Sequence, residues 1–398
     1  MASPKISRKL TEHMMTMTNR FSVALLLGGW CLSAGCAQQA PPASPPASNS
    51  VTGAPQAAKV DLSVPRLPPK PLIWVEDWKG EPEASQERVN AEAVVQMADG
   101  MKAGQEYSNA ARGYRTAIRT DPTWAYPVYQ AACNFELWGQ HDNAVAEFKK
   151  ALDLGFSDFP TLAGDSELGQ IRQRPEFPSQ LQKVRDLYLT GAGKLVGQPI
   201  AVRPKGSQPP AGWPVMLLLH GYGDTNLAYL DQAAQWAGQG FLTVAVPGSV
   251  PAGDGHYQWS HESTAATQED LQAILISPLL KGVADPDQVY LLGFSQGALH
   301  GLMLTAENPK QYAGVVALSP GGSFASKLAT PNLNRSGRPA KIYFIHGDAE
   351  PHAPLAKVWE QACKDAQWKF HGSTHPGGHH FPLKWDELLP EVARFLKG

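Results

Sequence analysis

The motif with the clearest chemical meaning in this chain of 398 residues is G-F-S-Q-G at residues 293–297. It follows an apolar run and precedes a stretch compatible with a helix. G-x-S-x-G in the order strand, sharp turn, helix predicts a nucleophile elbow, in which a strained turn lifts the serine hydroxyl clear of the sheet. Gly293 and Gly297 leave the room this turn needs, because a side chain there would clash with its neighbours. We therefore predict that Ser295 is a catalytic nucleophile, with a purely structural turn as the alternative.

A serine hydroxyl needs a general base, and the base is itself oriented by an acid. Two carboxylates, Asp348 and Glu350, follow the apolar run 341–345. Further on, a glycine-flanked turn presents His379 and His380, with His375 as a weaker candidate. The order serine, acid, histidine along the chain is that of hydrolases built on a parallel sheet. The residues alone leave the choice between the two acids and between the histidines open.

Two predicted turns supply backbone N–H groups that could stabilise the oxyanion formed when the serine attacks a carbonyl. The stretch P-V-M-L-L-L-H-G-Y-G-D-T at residues 214–225 ends a predicted strand in His220 and Gly221. In hydrolases with this elbow, one donor follows that strand and the other is the residue after the nucleophile. These donors would be the N–H groups of Tyr222 and Gln296. Fixed donors aimed at the developing charge are usually a large catalytic contribution. We expect His220 to shape the turn rather than to exchange protons.

The elements that must position these residues are apolar runs that alternate with helical stretches. Continuous runs rich in Val, Ile and Leu are typical of parallel strands buried on both faces. Helices between such runs indicate β-α-β units. The sequence therefore predicts an α/β fold over residues 195–398, a mostly parallel sheet with helices on both faces. The predicted strands are residues 214–219, 241–246, 289–292, 314–318 and 341–345.

A stretch rich in glycine, proline and aromatic residues, 247–263, lies between two predicted strands. Its Tyr257 and Trp259 have two interpretations, as the lining of an acyl pocket or as packing residues, and packing is slightly favoured. The spacing of His375 and His379 would suit a metal pair on a helix, but Pro376 and two glycines between them oppose a helix. We expect no metal and no cofactor.

These segments resemble the carboxylesterase, phospholipase and acyl-protein thioesterase branch of the α/β hydrolases. The resemblance rests on H-G-Y-G-D-T, D-P-D-Q-V-Y-L-L-G-F-S-Q-G-A and H-G-D-A-E-P, and it covers about half of the chain. It implies an α/β-hydrolase fold and ester or thioester cleavage through an acyl-enzyme. In that family the acid lies four residues after the histidine of the H-G-x-x-D turn. That position is Glu350, where aspartate is usual, so Asp348 stays a rival. The family's histidine usually follows glycines, which favours His379 over His380.

Residues 86–190 carry a helical pattern that repeats after 34 residues. Small, aromatic and small residues recur four and three positions apart, so that they share one face of a helix. The pattern resembles tetratricopeptide repeats, with a degenerate third hairpin expected over residues 162–188. Such a domain is interpreted either as a spacer or as a groove that binds a protein partner. The matched positions are Ala110, Tyr114 and Ala117 in the first unit and Ala144, Phe148 and Ala151 in the second.

The first 36 residues have the pattern of a signal peptide: a basic start, an apolar run at 21–32 and small residues before Cys36. The run is too short for a comfortable membrane span. The segment resembles a bacterial lipoprotein box, with lipid attached to Cys36, and an ordinary cleaved signal is the alternative. Residues 37–85, rich in Pro, Ala and Ser, predict an extended linker. The resemblance implies a lipid-anchored protein of the cell envelope, at the outer membrane and facing the periplasm or the surface.

The composition gives no support for nucleic-acid binding or for a disulfide-stabilised fold. There are 34 Lys and Arg against 36 Asp and Glu, so nothing suggests nucleic-acid binding. Four cysteines are too few for a disulfide framework, and we expect Cys133 and Cys363 to be buried thiols. The leading hypothesis is a carboxylic ester hydrolase acting on a small-molecule or lipid-like acyl ester. The alternatives are a serine peptidase of the same fold and an interaction protein whose hydrolase domain is degenerate.

Overall fold

A computed structural model defines the architecture. It describes residues 69–80, 85–191, 197–253, 256–261, 263–321, 331–334, 338–350 and 354–398. The predicted signal peptide, the lipidation site Cys36 and most of the predicted linker lie outside the described residues. The chain divides into two compact units. The helical unit comprises Ser85–Leu154 and Glu167–Ser179, and the sheet unit comprises the other described residues.

The helical unit is built from consecutive helices that pack in pairs. Its bounds are α1 Gln86–Ala103, α2 Tyr107–Thr120, α3 Ala125–Leu137 and α4 His141–Asp153. The side chain of Ser85 caps α1 by accepting a hydrogen bond from the N–H of Arg88. All six matched positions of the 34-residue pattern are buried, at most 1% exposed. Small residues let α1 and α2 approach closely, since a Cβ on Gly113 would lie 2.7 Å from that of Ala98.

The segment predicted as a third hairpin forms a short helix, a 3₁₀ turn and a longer helix. These are α5 Phe159–Gly164, a 3₁₀ turn at Ile171–Gln173 and α6 Phe177–Thr190. Its expected core residues are buried, namely Leu168, Ile171, Phe177, Leu181 and Val184. The boundary between the two units falls inside this segment, because Gly155–Ser166 and the part of α6 from Gln180 onward group with the sheet.

The sheet unit is organised around one eight-stranded sheet. Its order is β1-β2-β4-β3-β7-β8-β9-β10, and all neighbours are parallel except β2 and β4. Strands β5 and β6 form a separate antiparallel pair. The bounds are β1 Ile73–Trp74, β2 Ile200–Val202, β3 Trp213–Leu219, β4 Leu242–Val246, β5 Val250–Gly253, β6 His256–Gln258, β7 Ala284–Phe294, β8 Gly314–Leu318, β9 Lys341–Gly347 and β10 Lys369–His375.

Each of the five apolar runs predicted as strands forms a strand of this sheet, as β3, β4, β7, β8 and β9. Every residue of β4 and β8 is buried, as expected of parallel strands covered on both faces. The register aligns the carboxyl ends, because Leu219 pairs with Gly293, Phe294 with Leu318, and Leu318 with Ile345. The turns that follow these strands therefore meet at one edge of the sheet. The predicted α/β-hydrolase fold is confirmed.

Helices cover both faces of the sheet. Their bounds are α7 Leu230–Gly238, α8 Ala265–Leu275, α9 Gln296–Glu307, α10 Pro354–Asp365 and α11 Trp385–Lys397. Helices α8, α9 and α10 share one apolar cluster with alternate strand residues. The strand residues between them point to the opposite face. There Tyr290 donates a hydrogen bond to the carbonyl of Leu396 in α11 at 3.0 Å, and Trp236 of α7 packs on Phe241. The cluster includes Leu271, Leu299 and Trp359 from the helices and Leu217, Leu291, Val315 and Phe344 from the strands.

None of the helices that the structure describes is long and apolar enough to cross a membrane. Cys133 lies in the helical unit and Cys363 in the sheet unit, and both thiols are buried without a disulfide. Burial raises the pKa of the Cys363 thiol to about 12.

Candidate active site

Ser295 occupies a strained turn between β7 and α9. Its backbone has φ 54° and ψ −120°, a conformation that residues with a side chain rarely adopt. The flanking glycines are required by close backbone contacts. A Cβ on Gly293 would lie 2.3 Å from the carbonyl oxygen of Gly297, and one on Gly297 would lie 2.4 Å from those of Leu219 and His220. The N–H of Ser295 donates to the carbonyl of Leu318 at 3.0 Å, which ties the turn to the neighbouring strand.

His379 lies in the turn after β10 and reaches Ser295. Its Nε2 is 2.8 Å from Oγ of Ser295, the distance of a hydrogen bond that a hydroxyl donates to a neutral imidazole. The ring packs on Phe294 with 5.0 Å between ring centroids. The side chain of His379 is 43% exposed, so the nucleophile and its neighbour are open to a ligand from solvent.

Glu350 lies behind the imidazole in the turn after β9. Its Oε1 is 3.7 Å from Nδ1 of His379, and its side chain is only 2% exposed. The N–H of Gly347 donates to the same oxygen at 3.3 Å. A separation of 3.7 Å is a charge contact rather than a hydrogen bond, and such contacts are often long in a ligand-free enzyme and shorten when substrate binds.

The Glu350 carboxyl is held in its ionised form. Burial opposes ionisation and is the largest influence on its pKa. The interactions with His379, Ser319 and the backbone of Gly347 together outweigh burial, so the pKa lies below its usual value. A buried carboxylate beside an imidazole is suited to stabilise that ring when it takes up a proton.

The other candidate acid and base residues make different contacts. Asp348 is exposed, and its Oδ1 accepts a hydrogen bond from the N–H of Gly377 at 2.9 Å. Nδ1 of His380 lies 2.7 Å from the carbonyl of Phe381, and its ring lies against that of His375. Within the described part of the chain, no hydrogen bond or ion pair joins Asp348 or His380 to Ser295. The geometry brings Ser295, His379 and Glu350 together.

The predicted oxyanion donors flank Ser295. Gln296 is the first residue of α9, where backbone N–H groups have no partner within the helix and the helix dipole is positive. The Gln296 side chain is buried and exchanges two hydrogen bonds with the backbone of Trp259, at 2.7 and 3.0 Å. Tyr222 lies in the turn after β3 and is 62% exposed. That turn approaches the nucleophile, since a Cβ on Gly221 would lie 3.5 Å from that of Ser295.

His220 is fully buried beneath this turn. Burial lowers its pKa to about 4, so its imidazole is neutral near pH 7. Its Nδ1–H donates to the carbonyl of Gly221 at 2.7 Å, and its own carbonyl accepts a hydrogen bond from Nε1–H of Trp259 at 2.8 Å. These contacts fit the expected role of shaping the turn.

Tyr257 and Trp259 lie under the turns rather than at the surface. Trp259 is fully buried and Tyr257 is 7% exposed. The Trp259 ring packs between His220 and His300, with centroid distances of 5.1 and 5.9 Å. A ring without exposed surface does not line an open cleft, so this placement favours the packing interpretation.

Two contributors to the site were not singled out from the sequence. Phe381 packs on Phe294 with 5.3 Å between centroids, which extends the aromatic support under His379. Ser319 follows β8, is 1% exposed and is one of the groups that lower the pKa of Glu350. The sequence could have pointed to Ser319, because it directly follows the predicted strand 314–318 and so lies at the same edge of the sheet as the other turns.

A family model described as phospholipase/carboxylesterase matches residues 251–397. This part of the chain resembles that family. The matched segment contains Ser295, Glu350 and His379. The match supports a hydrolase that acts on ester bonds for this part of the chain.

The chain is also similar to curated proteins described as an esterase and as a thioesterase. The chain is 30% identical over 176 residues to NocK of Nocardia uniformis subsp. tsuyamanensis, described as a candidate esterase, and the match covers 41% of this chain and 48% of that protein. It is 26% identical over 182 residues to acyl-protein thioesterase 1 of Kluyveromyces lactis, covering 40% of this chain and 79% of that protein. The chain therefore spans about half the length of the first of these relatives.

Among solved structures, the carboxylesterase of Bacillus cereus shares 17% identity with a TM-score of 0.40, over 52% of this chain and 98% of that chain. An uncharacterised protein from Bacillus cereus ATCC 10987 shares 15% identity with a TM-score of 0.41, over 77% of this chain and 99% of that chain.

Proposed function

We propose that this chain is a serine hydrolase that cleaves carboxylic ester or thioester bonds of a small-molecule or lipid-like acyl substrate. The observation that carries the proposal is the 2.8 Å contact between Oγ of Ser295 and Nε2 of His379, on an elbow whose backbone strain lifts the serine out of the sheet. The buried carboxylate of Glu350 behind the ring supports it, as does the family match.

The first half of the reaction forms an acyl-enzyme. Oγ of Ser295 attacks the substrate carbonyl carbon while Nε2 of His379 takes the hydroxyl proton. Glu350 stabilises the imidazolium that results. The carbonyl oxygen becomes an oxyanion that accepts hydrogen bonds from the N–H groups of Tyr222 and Gln296. When the tetrahedral intermediate collapses, the bond to the leaving oxygen or sulfur breaks and His379 gives that atom its proton.

The second half returns the free enzyme. A water molecule attacks the ester carbon of acyl-Ser295 while His379 takes one of its protons. The second tetrahedral intermediate collapses, the bond to Oγ of Ser295 breaks, and His379 returns the proton to Oγ. The products are a carboxylic acid and the alcohol or thiol released in the first half.

The decisive test is turnover of p-nitrophenyl esters of graded chain length, and of an acyl thioester, by the full chain and by Ser295→Ala. We expect the variant to lose turnover and labelling by a fluorophosphonate probe, because only an activated serine reacts. The matched control is Ser207→Ala, which removes an exposed serine hydroxyl elsewhere in the sheet unit. Unlabelled wild-type protein without turnover on any ester would reject the proposal and favour the interaction-protein alternative. Cleavage of peptides alone would favour the peptidase.

The helical unit is proposed to consist of tetratricopeptide repeats. Burial of the small-aromatic-small positions in α2 and α4 supports this, because these are the residues that let neighbouring helices approach. If the helices are two copies of one repeat, Tyr114 and Phe148 occupy the same position in each copy. Replacing either with alanine is therefore expected to lower the stability of the helical unit by a similar amount, about 3 kcal/mol, as measured by denaturant unfolding.

Attachment to a membrane of the cell envelope through lipid on Cys36 also stays a proposal. It rests on the basic start, the apolar run and the small residues before Cys36. Expression of the full chain in a bacterium with labelled palmitate tests it. Incorporation of label that Cys36→Ala abolishes supports a lipoprotein, whereas cleavage without label supports an ordinary signal peptide.

A further inference from the structure

Ser319 lies between the nucleophile and the acid. It follows β8, which separates the serine-bearing strand β7 from the acid-bearing strand β9. Its N–H donates to the carbonyl of Ile345 at 2.7 Å, and the N–H of Gly321, two residues on, lies 3.4 Å from the carbonyl oxygen of Ser295. The turn that begins at Ser319 therefore contacts the elements on both sides.

The backbone of Ser319 adopts a conformation that is unfavourable for a residue with a side chain. Its φ is 47°, in the left-handed region, and Pro320 follows it. Glycine would adopt this φ without a steric penalty, whereas a residue with a side chain is strained there. What serine adds over glycine here is a Cβ and a hydroxyl.

That hydroxyl is buried, and so is one unpartnered oxygen of the carboxylate in the turn after the neighbouring strand β9. Ser319 is 1% exposed, and its Oγ has no hydrogen-bond partner among the described residues. Oε2 of Glu350 is likewise buried and without a partner. The other oxygen, Oε1, faces Gly347 N–H and His379. A buried donor or acceptor that stays unpaired is destabilising, so an unpaired hydroxyl and an unpaired carboxylate oxygen complement each other.

The lowered pKa of the Glu350 carboxyl agrees with this pairing. The Ser319 hydroxyl is among the interactions that lower the pKa of the Glu350 carboxyl, second only to His379 among those that favour its charged form. Glutamate also has one more rotatable bond than the aspartate expected from the family pattern. Each rotamer that must be fixed costs conformational entropy, so a glutamate acid needs an anchor on its far oxygen more than an aspartate does.

We propose that Ser319 is a positioning residue: its unpartnered hydroxyl rotates to donate to the unpartnered Oε2 of Glu350, and this bond keeps Oε1 directed at Nδ1 of His379. This inference rests on the proposed function. Each oxygen of the Glu350 carboxylate would then accept a hydrogen bond, Oε1 from Gly347 N–H and Oε2 from the Ser319 hydroxyl. Ser319 touches neither the substrate nor the reacting atoms, and it acts only through Glu350.

A double-mutant cycle tests this with the full chain. Ser319→Ala removes the hydroxyl, and Ser319→Gly removes it while also relieving the backbone. Both are expected to lower kcat for a p-nitrophenyl ester about tenfold, the loss of one charge-assisted hydrogen bond, with KM changed less than twofold. In a Glu350→Gln background, the same substitutions are expected to change kcat little, because the carboxylate they act through is gone. The rate of fluorophosphonate labelling of Ser295 gives a second readout where turnover is slow.

Thr305→Val is the matched control. Thr305 lies in α9, is fully buried, and its Oγ1 also has no hydrogen-bond partner among the described residues. Its replacement removes a comparable hydroxyl away from Glu350 and is expected to leave kcat unchanged. Thermal unfolding of every variant separates loss of fold from loss of positioning, and Ser319→Gly is expected to unfold at no lower a temperature than Ser319→Ala.

Two results would overturn the inference. One is an unchanged kcat in Ser319→Ala. The other is an equal loss of kcat in the wild-type and Glu350→Gln backgrounds, which would indicate a general structural role. If Ser295→Ala abolishes turnover while the Ser319 variants behave in either of these ways, only the inference fails. If Ser295→Ala retains turnover, the proposed function fails and the inference with it.

Discussion

The nucleophile turn lies at the centre of the sheet, whereas the turns that carry the acid and the histidine lie toward its edge. Ser295 sits between a central strand and a buried helix, and its position is set by backbone contacts that exclude any side chain at Gly293 and Gly297. His379 follows the edge strand β10, most of whose residues are at least partly exposed. Its turn is held by hydrogen bonds to the turn after β9 and by a close backbone contact with it, since a Cβ on Gly347 would lie 2.3 Å from the carbonyl oxygen of Gly377.

The difference indicates where the site tolerates adjustment. The nucleophile is part of the core, so changing its turn changes the fold. The acid and the histidine meet through side chains that are 3.7 Å apart, so their alignment depends on side-chain contacts as well as on the backbone. Substitutions in the first region should therefore act on stability and activity together, and those in the second on activity with little loss of stability.

The largest expected effect is that of Gly297→Ala. The added Cβ would lie 2.4 Å from two backbone oxygens, and backbone cannot move aside as a flexible side chain can. We expect a loss of at least about 3 kcal/mol in unfolding free energy, as for severe overpacking, together with loss of ester hydrolysis. Denaturant unfolding followed by tryptophan fluorescence measures it. Gly238→Ala is the matched control, because no atom lies within 4 Å of the added Cβ, and normal stability of Gly297→Ala would contradict the rigid-turn argument.

The second prediction concerns the acid. Glu350→Gln keeps the shape of the side chain but removes the charge that stabilises the His379 imidazolium. We expect kcat to fall roughly 10⁴-fold, the scale of an acid replacement in a serine triad, with a melting temperature close to that of the wild type. Steady-state kinetics on a p-nitrophenyl ester measure the fall. Wild-type kcat in this variant would move the acid role to another residue.

A third prediction concerns stability as a function of pH, because the histidines near the nucleophile and the acid Glu350 should contribute in different pH ranges. Burial lowers the pKa values of His220 and His300, which lie beside and within the nucleophile helix, from 6.5 to about 4. The unfolded chain therefore binds more protons between these values, and stability should fall as pH drops from 6.5 toward 4. The lowered pKa of Glu350 acts at lower pH, since its contribution is lost only as pH falls below the ordinary value of 4.5 and through the folded pKa.

Denaturant unfolding of the wild type and of His300→Gln at a series of pH values measures these windows. The variant is expected to show a shallower decline between pH 6.5 and 4, because it lacks one of the two buried neutral imidazoles. An unchanged slope would mean that His300 is protonated equally in the folded and unfolded chains.

The smallest expected effect is that of Asp348→Ala. Its carboxylate accepts one hydrogen bond from Gly377 N–H at the surface, at 2.9 Å. Its loss should loosen the histidine turn and lower kcat about threefold, as expected for one exposed hydrogen bond. Measured beside Glu350→Gln, it ranks the two carboxylates. A larger loss in Asp348→Ala than in Glu350→Gln would reverse their roles.

Much of the sheet unit was predictable because its signals are local. Five apolar runs became strands within a few residues of their predicted ends, and glycine spacing marked the elbow. The short strands β1 and β2 and the exposed strand β10 were not predicted. Two or three residues of strand carry no periodicity, and K-F-H-G-S-T-H in β10 lacks the continuous apolar run of a buried strand.

The sequence by itself determined the positions of the five buried strands along the chain, the elbow at Ser295 and the presence of acids and histidines in later turns. These follow from apolar runs and glycine positions, which act over a few residues. Only the tertiary structure decided that Glu350 rather than Asp348 lies behind His379, and that Trp259 is buried. The first of these depends on the pairing of β7, β8, β9 and β10, which brings distant residues together and sets the direction of each side chain at the shared edge.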